Sequence, residues 1–300
     1  TDPAAPAILN STGAGAASYT SVLIRPTADG VTVSATTLGG RGVIELNGAD
    51  NVTIDGDNPN TGGTNRNLTI QHLATATTTY TSVIRVATST TAPYDTNNNL
   101  VFRNLNLNGN VTGGNLSTIT GTTTSTTASF GIVVSNNGGA AVAAITSVTP
   151  TVSGVAVKYD GLNIDNNVIN RVGRAVMVAG TNVANSSGVT ITNNTIGDQT
   201  ALVGAPPYTA PATTVYVRGV FVAGATSVTV TGNTISNIIC YVGTTLTGID
   251  LSSAIGTSVN VSSNTVTGVV NNGTSSATNG IAITSSASAS ASGLVVAGNT

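Results

Sequence analysis

The C-terminal half of the chain repeats one short pattern of apolar and polar positions. In each copy two apolar residues flank a variable one, an asparagine follows three positions later, and another strand-forming segment comes next. The copies begin at Leu162, Val189, Val228, Val259 and Leu294, which are 27 to 39 residues apart. A constant motif at variable spacing predicts a repeat protein with a fixed corner on every coil and insertions elsewhere.

Other short apolar segments complete the predicted coils. They alternate inward and outward positions as strands do, and a single coil cannot bury its apolar residues unless neighbours stack on it at about 4.8 Å. We therefore predict an all-β protein, a right-handed parallel β-helix of roughly nine coils, with residues 1–300 forming one domain. The segments are Ala175–Val178, Gly219–Val222, Gly248–Leu251 and Gly280–Ile283, preceded in the N-terminal third by Val43–Leu46, Val52–Asp55, Leu68–Gln71 and Leu100–Arg103.

The recurrent asparagines are predicted to form a structural ladder. Asparagine tolerates the left-handed conformation that a sharp corner requires, and stacked side-chain amides can bond to each other between coils. In the N-terminal third the pattern is less regular, with Asn104 one position early and His72 in the equivalent place. The predicted ladder residues are Asn167, Asn194, Asn233, Asn264 and Asn299.

Composition excludes several classes of partner. Charged residues are 7% of the chain and the formal net charge is −2, so no basic patch predicts binding to nucleic acid. No apolar run reaches the roughly 18 residues that span a membrane, so we expect no membrane insertion of this segment. The single cysteine, Cys240, lies in an apolar stretch and is interpreted as a small buried side chain rather than a reactive thiol.

The candidates for chemistry are few. Asp55 and Asp57 form the densest acidic patch and could bind Ca²⁺ through oxygen ligands, although an Asp-Gly-Asp-Asn-Pro turn explains them without metal. His72 is the only histidine and has no clear catalytic partner. Arg85 and Arg103 occupy outward strand positions and are interpreted as solvated charges or as a short basic stripe. Apart from Ca²⁺ we expect no cofactor, and no catalytic residue is assigned.

The chain resembles a known group of proteins. The segments Val22–Pro26, Gly30–Val33, Ile44–Gly56 and Asn67–Ile70 resemble the opening coils of large secreted β-helix proteins of Bacteroidota. The later Asn-Asn-Thr-Ile coils resemble pectin-lyase-like right-handed β-helices. The resemblance implies an extracellular or cell-surface location, export by type IX secretion, and relatives that include adhesins as well as polysaccharide lyases and hydrolases.

Three functions follow as expectations. The first is a non-catalytic structural or adhesive rod, whose partners are surface polysaccharide or other copies of itself. The second is a polysaccharide lyase or hydrolase, and the third is a segment of a phage tailspike or fibre. The fifth copy of the repeat stops at Asn299-Thr300 before its last apolar position, so we expect this domain to be a piece of a chain that continues C-terminally.

Overall fold

The computed structural model describes residues 6–36, 40–73, 80–87, 97–109, 129–134, 159–179, 187–199, 215, 217–240, 245–252, 255–256, 258–272, 277–284 and 293–300. In these ranges the chain consists of strands, turns and bends, with no helix. None of the described residues therefore belongs to a helix that could cross a membrane.

Three long sheets carry the fold, and every pairing between their strands is parallel. Sheet I contains β1 (Ala7–Asn10), β4 (Gly42–Asn47), β7 (Thr81–Ala87), β11 (Ser129–Val134), β15 (Arg174–Ala179), β18 (Arg218–Ala223), β22 (Leu246–Leu251) and β26 (Thr278–Ile283). Sheet II contains β2 (Val22–Ile24), β5 (Val52–Asp55), β9 (Val101–Arg103), β13 (Asn163–Asp165), β16 (Val189–Thr192), β19 (Ser227–Thr231), β23 (Ser258–Ser262) and β27 (Leu294–Ala297). Sheet III contains β3 (Val31–Ala35), β6 (Leu68–His72), β10 (Leu105–Asn108), β14 (Val168–Asn170), β17 (Thr195–Ile196), β20 (Thr234–Ser236) and β24 (Thr265–Thr267).

Two short pairs complete the strands: β8 (Asn97–Asn98) with β12 (Tyr159–Asp160), and β21 (Ile239–Cys240) with β25 (Val270–Asn271). The chain contributes strands to sheets II, III and I in turn, and each complete turn adds one strand to each of the three sheets. The predicted parallel β-helix is confirmed, with eight layers in sheets I and II within the described residues.

The core lies between the three sheets and consists of matching apolar rows. In sheet I, for example, Ile84 pairs with Ile132, which pairs with Val176 in the next layer. In sheet II the inward row includes Ile191 and Val230, both fully buried. Because each row repeats a branched side chain at the strand spacing, its members pack against each other along the column. Cys240 belongs to this core, as its sequence context predicts.

Glycine is among the first three residues of several strands of sheet I, next to the corner with sheet III. A Cβ at Gly219 would lie 2.6 Å from the carbonyl oxygen of Gly248 and 2.8 Å from Cγ2 of Ile235. Neither distance leaves room for a methyl group at this position of β18, whereas the equivalent position of β15 accommodates Ala175. Gly219 therefore lets β18 approach the neighbouring strand and sheet III closely.

Candidate functional site

The most extensive polar array lies inside the corner between sheets II and III. The Oδ1 atom of Asn194 accepts hydrogen bonds from the backbone N–H of Asn167 at 2.9 Å and from its Nδ2 at 3.0 Å. The same two bonds run from Asn194 to Asn233, from Asn233 to Asn264 and from Asn264 to Asn299. The structure thus places all five predicted asparagines in one continuous ladder.

Each ladder side chain also donates to the preceding coil. Nδ2 of Asn233 donates to the carbonyl oxygen of Ile191 at 2.9 Å, and Nδ2 of Asn264 donates to that of Val230 at 2.8 Å. Asn167, Asn194, Asn233 and Asn264 are at most 1% exposed. A buried amide must satisfy its donors and its acceptor within the protein, and this geometry satisfies them with the neighbouring coils.

The conformational role predicted for these asparagines is wrong. None of the five is among the described residues with positive φ; the left-handed residue is the one before each of them. Two consecutive residues have different roles at the corner. The left-handed residue turns the backbone, and the asparagine after it points its side chain inward, where it forms hydrogen bonds. The left-handed residues are Asn166, Asn193, Gly232, Ser263 and Gly298, with φ between 53° and 68°.

The early coils correct two further predictions. Asn104 has φ 57° and is the left-handed residue of its coil, so it is not a displaced ladder residue. Leu105 occupies the ladder position, where its N–H donates to Oδ1 of Asn167 at 3.0 Å. His72 is 1% exposed and pairs with Ala35 at the far end of a sheet III strand, so it is not at the asparagine corner. The apolar alternation of Leu68–Gln71 fits either sheet, and only the pairing distinguishes them.

Charged side chains surround the same corner in the early coils. Oδ2 of Asp55 lies 2.9 Å from Nε and 2.7 Å from Nη2 of Arg103, which is its partner in the next strand of sheet II. Oδ1 of Asp55 accepts bonds from the N–H of Asp57 at 3.0 Å and from Nδ2 of Asn104 at 2.8 Å. Burial raises the pKa of Asp55, but the bonds from Asn104, Asp57 and Arg103 outweigh it, and the pKa falls below its usual value.

These bonds bear on the Ca²⁺ hypothesis. Both carboxylate oxygens of Asp55 face N–H donors, and Asp57 accepts the N–H of Asn65 at 2.9 Å and lies 4.0 Å from Arg25. The bond from Asp57 to Asp55 closes the turn that the sequence offers as an alternative to metal. Among the described residues no group of three or more His, Cys, Asp and Glu side chains could hold a metal ion.

The outer face of sheet I carries a second charged group near its N-terminal end. Glu45 is fully buried and accepts bonds from Nε of Arg41 at 2.8 Å and from the N–H of Gly42 at 2.9 Å. Arg85 pairs with Glu45 in the sheet, and their side chains lie 3.7 Å apart. Burial lowers the pKa of Arg85 to about 10, although Glu45 opposes the shift.

A third charged group lies further along the same face, on β15, β18 and β22. Arg174 and Arg218 are direct partners in neighbouring strands, and Arg174 is 5% exposed. Burial, followed by the charge of Arg218, lowers the pKa of Arg174 to about 9. Arg218 lies 3.4 Å from Asp250 and stacks over the ring of Phe221 at 4.9 Å. Burial raises the pKa of Asp250, and Arg218 only partly offsets this.

Between the two charged groups the outer face is apolar. Tyr80, Phe130, Val133, Met177 and Phe221 form a cluster separate from the core, and each is at most 8% exposed. The sequence analysis did not predict this outer face of sheet I. One sequence feature marks two of its strands: Arg174 and Arg218 each precede a small residue and then valine at the start of a strand.

The register also excludes the predicted basic stripe and separates two carboxylates of sheet I. Arg85 lies on sheet I and Arg103 on sheet II, so the two arginines do not form one row. Glu45 and Asp250 share an outer row of sheet I but are five strands apart, which is about 24 Å at the spacing of parallel strands. Paired glycosidase carboxylates lie about 5–10 Å apart, so these two do not form such a pair.

Comparisons with known proteins give no assignment. No family model, no curated protein and no solved structure matches the chain.

Proposed function

We propose that the chain is a non-catalytic structural or adhesive β-helix module that acts outside the cell. The continuous asparagine ladder carries the proposal. It links the amides of five successive coils by bonds along the column, and four of these amides are buried. Buried, fully bonded polar networks favour one rigid arrangement. The extracellular location rests on the resemblance to secreted β-helix proteins.

The carboxylates support the same proposal. Asp55 and Glu45, the two most buried of them, are both engaged by arginines. A general acid or base needs a pKa near the working pH, whereas the pKa of Asp55 is shifted away from neutrality. The carboxylates of Asp55 and Glu45 are thus held in ion pairs within the fold.

Incubation with neutral and acidic polysaccharides tests this proposal. We expect the protein to resist proteolysis and to release neither reducing ends nor unsaturated products, while it retains adhesion to glycan-coated surfaces. A cleavage activity that disappears when Arg174 and Arg218 are both replaced by methionine, with the fold retained, would show an enzyme instead.

A second candidate is binding or β-elimination of an acidic polysaccharide on the outer face of sheet I. Its support is the pairing of Arg174 with Arg218, since like charges in adjacent strands favour an anion near them. Within the described part of this face, Arg41, Arg85, Arg174 and Arg218 stand against two carboxylates, Glu45 and Asp250. Retention on a polygalacturonate column, lost in the double methionine variant, would favour this candidate.

A further inference from the structure

A small hollow lies at the N-terminal end, where the turns after β1 and β4 meet. Thr12, Tyr19, Thr20, Asp50 and Asn51 line it, and its volume is about 270 Å³. Sites for drug-sized ligands occupy about 300–1,000 Å³. The hollow therefore suits a ligand unit no larger than a single ring.

One wall is an aromatic ring held in place. The N–H of Tyr19 donates to Oγ1 of Thr12 at 2.9 Å, and this hydroxyl donates to the carbonyl oxygen of Tyr19 at 2.6 Å. The phenolic hydroxyl donates to the carbonyl oxygen of Asn10 at 2.5 Å, and the ring packs against the core. Because the hydroxyl is engaged with the backbone, Tyr19 offers the hollow mainly apolar ring surface.

The opposite wall is polar and equally fixed. Oδ1 of Asp50 accepts the N–H of Asn98 at 2.6 Å, and Oδ1 of Asn51 accepts Nδ2 of Asn99 at 2.9 Å. The backbone of Asn51 is left-handed, with φ 55°. Within the described residues, Nδ2 of Asn51 and the hydroxyl of Thr20 make no hydrogen bond, and both residues are exposed.

We infer that the hollow binds one neutral hexose unit of a glycan. A sugar presents an apolar C–H face and hydroxyl groups that both donate and accept, and the hollow offers an aromatic ring, an amide donor, a hydroxyl and a carboxylate acceptor. The carboxylate of Asp50 disfavours acidic sugars by charge. The inference does not require the structural role proposed above, and the hollow is separate from Arg218, which lies four strands along sheet I from β4, about 19 Å away.

Saturation-transfer NMR on the intact chain tests this inference. The probes are methyl β-glucoside and methyl β-galactoside, with glucuronate as the acidic counterpart. We expect transfer to the ring protons of at least one glycoside and weaker transfer to glucuronate. Asn51→Gly should weaken binding about fivefold, because it removes a polar contact of the kind worth about 1 kcal/mol. Glycine accepts the positive φ, so the fold is kept.

A matched control is available at another corner. Asn193 also has positive φ, 56°, and its side chain donates to Asp165 far from the hollow. Asn193→Gly should bind the glycosides as the unchanged chain does. Absent transfer to both glycosides, equal binding by the Asn51 and Asn193 variants, or preference for glucuronate would each overturn the inference. Polysaccharide cleavage elsewhere on the chain would leave it standing, so the two proposals fail separately.

Discussion

The corner between sheets II and III is built in two ways along the same column. In the later coils a neutral ladder of amides occupies its interior. Apart from Asp165, the outer strand positions beside it are threonine, serine or asparagine, as in Thr190, Thr192 and Ser262. In the early coils Leu105 replaces the ladder residue, and Asp55 with Arg103 links neighbouring strands from outside. The asparagine ladder requires the same register in every coil and excludes water. The Asp55–Arg103 ion pair tolerates irregular coils, but its stabilising effect depends on charge and therefore on pH.

The largest effect is expected from breaking the ladder at its middle. Asn233→Ala removes the acceptor for the N–H and Nδ2 of Asn194. Each buried group left without a partner costs about 1–3 kcal/mol, so the free energy of unfolding should fall by about 4 kcal/mol. Urea unfolding measures it. Thr229→Ala, an outward change in the same coil, should alter stability by less than about 0.5 kcal/mol; equal losses would show that the ladder contributes nothing special.

A smaller loss is expected from forcing the early corner apart. A Cβ at Gly56 would lie 1.8 Å from the carbonyl oxygen of Asn104, and a backbone atom cannot move aside cheaply. Gly56→Ala should therefore destabilise the fold by about 2–3 kcal/mol. Gly62→Ala is the control in the same loop, because no atom lies within 4 Å of its added Cβ. A thermal shift common to both variants would contradict the steric explanation.

The contribution of the Asp55–Arg103 pair to stability should depend on pH. Asp55→Asn is expected to lower stability at neutral pH by about 1 kcal/mol, a modest value because Arg103 is half exposed and solvent screens the pair. The folded-state pKa of Asp55 is below 3.8, so its contribution is complete above the unfolded-chain value and is lost as pH falls through the folded-state pKa. Unfolding curves of the two proteins should converge in acid; a constant difference would exclude the carboxylate as the cause.

The contribution of Asp250 to stability should change with pH in the opposite direction. Its pKa is raised in the folded state, so its contribution is complete below the unfolded-chain pKa and is lost as pH rises through the folded-state value. Relative to Asp250→Asn, the unchanged chain should gain stability on acidification from neutrality, as followed by thermal unfolding. A gain on raising the pH would place the charge of Asp250 in a favourable environment instead.

The smallest effect is expected one residue away from the ladder. Asn193 supplies the left-handed turn at φ 56°, which glycine adopts freely. Asn193→Gly loses only the bond to Asp165 and should cost less than about 1 kcal/mol in urea unfolding. A loss of stability as large as that of Asn233→Ala would support the original prediction that the same asparagine both turns the backbone and bonds between coils.

The sequence anticipated the repeat and the ladder residues because their spacing is local. Asn194 and Asn233 follow their apolar pairs at the same distance within each copy, and the chain need not be folded to show it. Local pattern did not separate the conformations of Asn193 and Asn194, since both positions accept asparagine. It also could not assign Leu68–His72 to a sheet, because the alternation of a strand is the same on every face of a coil.

The sequence by itself determined that the chain is built from short strands, which side chains enter the core, and which asparagines recur at the corner. Only the tertiary structure decided which residues become neighbours across coils, such as Arg174 with Arg218 or Asp55 with Arg103. Such partners are 44 and 48 residues apart in the chain, and the length of the segments between coils varies. The register between coils is fixed by the packing of the inward side chains. That packing therefore also decides which outward side chains become neighbours on the faces where ligands would bind.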